Sequence, residues 1–187
     1  MVDLLKLPVH NDDGDIHVVV ETTRGSAAKL EYDPDLQVFT LSKALILGLT
    51  YPYDWGFIPS TKGEDGDPID ALVLHDTATA PGLVLKCKII GVLEVLQKEK
   101  HKKPIRNDRL IAVPRNSHRE QADKDARDLP KQVRKEIEKF FVATDELEAK
   151  ELEFLGWKGP SAGERLIDAA AKEFKKSTAG RKHSFKQ

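Results

Sequence analysis

The stretch from Ile16 to Pro114 constrains this chain more than any other: it is a succession of short β-branched and aromatic runs broken by Gly, Pro, Asp and Ser. HVVVET, KLEYD, QVFTL, IDALVL, LVLKCKIIGVLEV and RLIAV follow one another with no helical period between them. Runs of this length and composition are strands. Short strands in unbroken succession favour a sheet that closes on itself, because closure leaves no unpaired edge. The pattern predicts a small closed, OB-like β-barrel over about 16–115, with an open sheet as the alternative.

After a polar, loop-like stretch the period changes. Pro130 stands where a first helical turn tolerates proline, and Val133, Ile137, Phe140 and Phe141 follow at i, i+4, i+7 and i+8. This predicts an amphipathic helix over about 129–147. A second helix, over about 161–177, is predicted from a capping box formed by Ser161 and Glu164 and from Leu166, Ile167, Ala170 and Phe174 on one side. Lys175 and Lys176 suit the C-terminal end of its dipole. The polar tail from Ser177 onwards, about 178–187, reads as a frayed terminus. The expected class is mainly β with flanking helices (α+β), in a single domain, since 187 residues suit one core.

Composition removes several functions from consideration. Charged residues make up 33% of the chain but the net charge is −1, so no global field favours nucleic acid or an anionic membrane. The one cysteine, Cys87, lies in an apolar run and reads as a buried structural thiol. A single thiol, no stretch approaching the length of a spanning helix and no basic-then-apolar N-terminus together predict a cytoplasmic protein. The six histidines are scattered, which argues against a structural zinc site. KEKHKKP, residues 98–104, contains Glu99 and no aromatic residue, and reads as a solvated hairpin loop.

The sharpest chemical signal is EDGDPID, which places Glu64, Asp65, Asp67 and Asp70 around a turn stiffened by Gly66 and Pro68. Two unit charges about 4 Å apart at an effective dielectric of about 20 repel by about 4 kcal/mol, so such a group calls for cations or protons. Oxygen ligands suit Mg²⁺, Mn²⁺ or Ca²⁺. The spacing excludes an EF-hand, because Ile69 occupies a position that should carry a ligand.

YPYDWGFIPST followed by DGDPID, with VVVET, KLE, GVL, LIAVP, FF and LGW in register, resembles the family I soluble inorganic pyrophosphatases along nearly the whole chain. The resemblance implies a five-stranded barrel and hydrolysis of pyrophosphate to two phosphates by a metal-activated water, with Mg²⁺ as cofactor and Mn²⁺ as a substitute. It also implies a homo-oligomer, hexamer or dimer. Carried over residue by residue, it makes Asp65 and Asp70 metal ligands and Asp67 the group that orients or deprotonates the attacking water. Glu21 and Glu31 would stand at the metal and water shell, and Lys29 on a phosphate oxygen. Tyr51 would donate a hydrogen bond to the leaving phosphate.

Several positions depart from the family pattern. Lys43 stands in place of an arginine and loses its planar fork. Trp55 stands in place of a tyrosine. Before LIAVP, Asn107 replaces a metal-ligating aspartate and Arg109 a lysine, while the other aspartate aligns with Gln97 or Glu99; Asp108 or Glu99 would supply a missing carboxylate if the loop bends. After FF, Thr144 and Asp145 replace a tyrosine and a lysine, so that an acid would face an anionic substrate. Two further readings follow from these departures. One is a diverged paralogue that binds metal and a phosphorylated ligand with weak or no turnover. The other is a hydrolase of a different phosphoanhydride, with Trp55 as a stacking surface.

Overall fold

The computed structural model describes residues 2–77, 79–145 and 150–183, with side chains through 179. Its strands close into a ring. β1 (Ile16–Thr22) pairs antiparallel with β4 (Asp54–Phe57), which pairs with β5 (Asp70–Val73). β5 runs parallel to β8 (Arg109–Pro114), β8 lies antiparallel to β6 (Val84–Glu99), and β6 returns to β1. The closed barrel expected from the strand runs is thus present, with five strands in the ring. β2 (Ala28–Asp33) and β3 (Val38–Ala44) form a separate hairpin, and β7 (Ile105–Arg106) turns back along the end of β6.

The strands read as continuous apolar runs because both of their faces are covered. On β5 and β8, Ala71, Val73, Leu110 and Ala112 join one core cluster with Ile167 and Ala170 of α3 (Pro160–His183). The alternate residues Leu72, Ile111 and Val113 join another with Ile137, Phe140 and Phe141 of α2 (Lys131–Asp145). Period-two alternation therefore sorts each strand between two helices. Leu166 packs on the first cluster and Val133 on the second, as their helical spacing implies. Cys87 is a free, fully buried thiol in the first cluster, and burial pushes its pKa up.

Three features differ from the sequence expectations. β9 (Lys150–Lys158) lies between the helices and pairs antiparallel with the outer half of β6, from Val92 to Glu99. Its Leu152 and Phe154 alternate onto the core beneath α2, a period-two signal too short to stand out beside two strong helical ones. α3 begins at Pro160, so Ser161 stands inside the first turn and is not its cap. α3 also continues to His183, so residues 178–183 are helical where the polar composition predicts a frayed tail. The Ser177 and Thr178 hydroxyls donate back to the Phe174 carbonyl at 2.9 and 3.0 Å, so these polar side chains find their partner within the helix. Residues 146–147 of the expected first helix and 184–187 of the tail lie outside the described residues. The polar stretch before α2 holds a single α-helical turn, α1 (Arg119–Ala122), and a 3-10 turn over Ala126–Asp128.

Gly91 marks the point where β6 is crossed most closely. A Cβ there would lie 2.2 Å from the Lys158 carbonyl oxygen of β9 and 2.6 Å from Ala126 Cβ. Gly91→Ala should therefore lower the stability to urea by about 1–3 kcal/mol through overpacking. In the native protein Cys87 should not react with a thiol reagent, and should react fully once urea unfolds the barrel. Rapid native-state labelling would contradict its placement in the core.

Candidate active site

One end of the barrel opens into a cleft of about 550 Å³. The register of two parallel neighbours sets its floor. Ala71 pairs with Leu110, so the preceding residues Asp70 and Arg109 stand side by side at the strand starts. Arg109 Nη1 donates to Asp70 Oδ2 and to Asn107 Oδ1. Its guanidinium carbon lies 5.3 Å from the Trp55 ring centroid and 5.5 Å from that of Phe141, a cation resting against an aromatic pair.

The Asp turn closes one side. Gly66 adopts φ +98°, a conformation that favours glycine, and Gly63 N–H donates to the Asp67 carbonyl at 2.7 Å. The Asp67 N–H in turn donates to Asp65 Oδ1 at 3.1 Å. Asp65, Asp67 and Asp70 line the cleft. Glu64, grouped with them by the sequence, turns away and accepts the Arg106 N–H at 3.0 Å.

The β2–β3 hairpin forms the opposite wall. Lys29 and Lys43 are cross-strand partners, an arrangement of like charges that is unfavourable unless an anion or carboxylates lie nearby. Lys29 Nζ donates to Glu31 Oε1 at 2.5 Å. Lys43 Nζ donates to the Thr144 carbonyl at 2.8 Å, in the last turn of α2, and lies 3.9 Å from Asp145 Oδ1. The acid expected to repel substrate is therefore partnered by the cation that replaces an arginine. The Thr144 hydroxyl donates to the Phe141 carbonyl at 2.9 Å.

All ten site residues singled out from the sequence, Glu21, Lys29, Glu31, Lys43, Tyr51, Asp65, Asp67, Asp70, Asn107 and Arg109, line this one cleft. Of the candidates for a missing carboxylate, Asp108 faces elsewhere, accepting Arg106 at 3.0 and 2.7 Å and the Val95 N–H at 2.9 Å. Gln97 and Glu99 stand two apart on β6, so both point into the cleft. Gln97 accepts Asn107 Nδ2 at 3.1 Å and donates to Glu99 at 3.2 Å, and Glu99 also accepts Lys102. Trp55 is only 4% exposed and meets Phe141 with ring centroids 5.3 Å apart, so it packs and offers no stacking face. Lys102, Lys103 and Lys150 also line the cleft, although the composition around the first two predicts only a solvated loop. The sequence signal of Lys102 and Lys103 is their place just after the strand that delivers Gln97, whereas Lys150 opens β9.

The electrostatics are those of a site short of cations. Burial pushes the Glu21 carboxyl up to about 8 from its usual 4.5, although it accepts the Tyr32 N–H at 2.8 Å. Burial, with the charge of Asp67 adding, raises Asp65; burial raises Asp70 more than Arg109 and Lys29 lower it. Burial would lower Lys29, yet Glu31 and Asp70 hold its ammonium above the ordinary range. Burial, with Asp70 and Asp145 adding, pushes the Tyr51 phenol up, so it remains a hydrogen-bond donor. Among the described residues no three His, Cys, Asp or Glu side chains are already gathered at coordinating distance. The donors lining the cleft are nonetheless oxygens with neither His nor Cys among them, a set that fits a hard divalent cation.

Glu21 gives the metal-free protein a pH dependence. Its folded pKa lies above the unfolded value, so between pH 4.5 and about 8 the folded state holds more protons and stability falls as pH rises. The slope reaches at most about 1.4 kcal/mol per pH unit. In chelator, Glu21→Gln should be more stable to urea than the parent chain at about pH 8–9, and the difference should close towards pH 4.5. A constant difference across that range would contradict the burial of an uncompensated Glu21.

Comparison with known proteins places this geometry in a family. The family model described as inorganic pyrophosphatase matches residues 18–175. The inorganic pyrophosphatase of Synechocystis sp. is 36% identical over 174 residues, 93% of this chain and 100% of that one. The crystal structure of inorganic pyrophosphatase from Thermus thermophilus superposes with a TM-score of 0.84 at 36% identity, covering 93% of this chain and 99% of the other. That of the Helicobacter pylori inorganic pyrophosphatase gives 0.79 at 31% identity, over 91% and 99%. The chain belongs to the inorganic pyrophosphatase family.

Proposed function

We infer that this chain hydrolyses inorganic pyrophosphate to two phosphates in a metal-dependent reaction. The observation that carries the reading is the convergence of Asp65, Asp67 and Asp70 with Lys29, Lys43 and Arg109 on one cleft. Cleaving a highly charged phosphoanhydride requires charge neutralisation on both phosphates and a nucleophile formed near neutral pH. A bound divalent cation supplies a water of lowered pKa and part of that neutralisation. We propose Mg²⁺, with Mn²⁺ as a substitute, held by Asp65, Asp70, Glu21 and the Asn107 side-chain oxygen.

The remaining work falls to the chain's own side chains. Lys29 and Lys43 face each other across the hairpin and take phosphate oxygens between them. Arg109 adds a third cation from the floor. Tyr51, kept protonated by its surroundings, donates its phenol hydrogen to a phosphate oxygen. Asp67, at the exposed tip of the Asp turn, accepts the proton of the attacking water, and Glu31 orients the shell beside Lys29. The pairing of Asp145 with Lys43 and the packing of Trp55 support this reading over a non-catalytic paralogue or a base-stacking substrate.

We place the enzyme in the cytoplasm as a homo-oligomer, hexamer or dimer. In support, no described helix is long and apolar enough to cross a membrane. Leu36, Leu41 and Leu47 of the hairpin and the loop after it are 65%, 66% and 100% exposed in the single chain, an apolar surface suited to a subunit contact.

Phosphate release from pyrophosphate should be rapid with Mg²⁺, retained with Mn²⁺ and absent in chelator. Asp67→Asn should lose about 10²- to 10⁴-fold in turnover while its unfolding curve is unchanged. Normal turnover in that variant would rule Asp67 out as the acceptor of the water proton, and no metal-dependent release from the parent chain would overturn the function.

A further inference from the structure

Arg109 is built into the floor of the cleft in a manner that a simple phosphate clamp does not require. It is only 5% exposed. Its Nη1 serves both Asp70 and Asn107, and the Trp55 and Phe141 rings, themselves in contact, lie together against one side of the guanidinium. Its Nε is buried and has no hydrogen-bond partner. A guanidinium offers its donors in a rigid fork, so satisfying two acceptors through one nitrogen leaves the others misaligned. The unpaired donor needs an oxygen that the protein itself does not provide.

Asp70 is the carboxylate whose oxygen Arg109 takes, and Asn107 is a proposed ligand beside it. Both oxygens that Arg109 holds are thus oxygens a metal would use. Resting on the metal-dependent reading above, we propose that Arg109 is a latch. In the metal-free protein its guanidinium stands in for a metal as the countercharge of Asp70. Metal binding displaces it, and the freed fork turns to a substrate phosphate oxygen, which also satisfies Nε. Two ligands that compete with one internal contact bind with positive coupling, so metal favours pyrophosphate and pyrophosphate favours metal. A planar guanidinium rests against this aromatic pair in a way that a lysine ammonium does not, which gives the joint presence of Trp55 and Arg109 a physical reason.

The test is Mn²⁺ binding without substrate, followed by the magnetic resonance of bound against free ion, in the full chain and in Arg109→Met. Methionine keeps an unbranched side chain against the rings without the charge. The variant should bind Mn²⁺ at least tenfold more tightly than the parent chain, and in saturating Mn²⁺ it should bind phosphate at least tenfold more weakly. Equal or weaker Mn²⁺ binding by a folded Arg109→Met overturns the latch. Should that variant not fold, the parent chain decides the matter. Its Arg109 Nε–H nuclear resonance, shifted by the two rings, should move as Mg²⁺ fills the site; a signal that stays in place at saturation overturns the latch. Pyrophosphate hydrolysis by the same preparation separates the two ideas. Turnover with an unmoved arginine sinks the latch alone, and no turnover sinks the function while the metal titration still judges the latch.

Discussion

Carboxylates crowded at one end of a closed barrel are the constraint on which the rest of this structure depends. Asp65, Asp67 and Asp70 share one cleft with Glu21 and Glu31. At an effective dielectric of about 20, each close pair of charges costs about 4 kcal/mol unless a cation stands between. Burial keeps the Glu21 proton on, with a pKa of about 8 to which the charge of Asp70 adds, and Asp70 takes Arg109. Neither arrangement follows from a local preference of the backbone. Both follow from barrel closure, which sets the starts of two parallel strands side by side and brings the Asp turn over them.

The same constraint explains why the departures from the family pattern occur in sets. An aspartate alone at position 145 would repel an anionic substrate, but with Lys43 drawn to it and to the C-terminal carbonyls of α2 the local charge is balanced. Likewise Arg109, Trp55 and Asn107 make sense together: the guanidinium rests on a flat partner and needs an acceptor at its edge. Gln97 then fits because the Asn107 amide donates to it. A buried polar network is stabilising only when its members are satisfied together, so these positions are expected to tolerate joint changes better than single ones.

Much of this is legible in the residues themselves. The β-branched runs mark the barrel because strands buried on both faces leave little room for another reading, and the spacing of Ile137, Phe140 and Phe141 marks α2. EDGDPID identifies the chemical end of the molecule because it gathers carboxylates around one tight turn, where their mutual repulsion calls for cations. What escapes is nonlocal. β9 is a weak alternation given meaning only by the far half of β6, and Lys102 and Lys103 are ordinary loop residues until the hairpin folds over the cleft. The partners of Asp145 and Glu64 depend on Lys43 and Arg106, more than forty residues away in each case, at a distance no periodicity records.

Crowding of the carboxylates is tested most directly by the stability of the protein to urea as Mg²⁺ is added, in the parent chain and in the triple variant Asp65→Asn, Asp67→Asn, Asp70→Asn. If crowded carboxylates govern the site, the parent chain should gain about 2.7 kcal/mol at a metal concentration about one hundred times its dissociation constant. The triple variant should gain nothing from the metal. A parent chain indifferent to Mg²⁺, or a triple variant that gains as much from it, would contradict that claim.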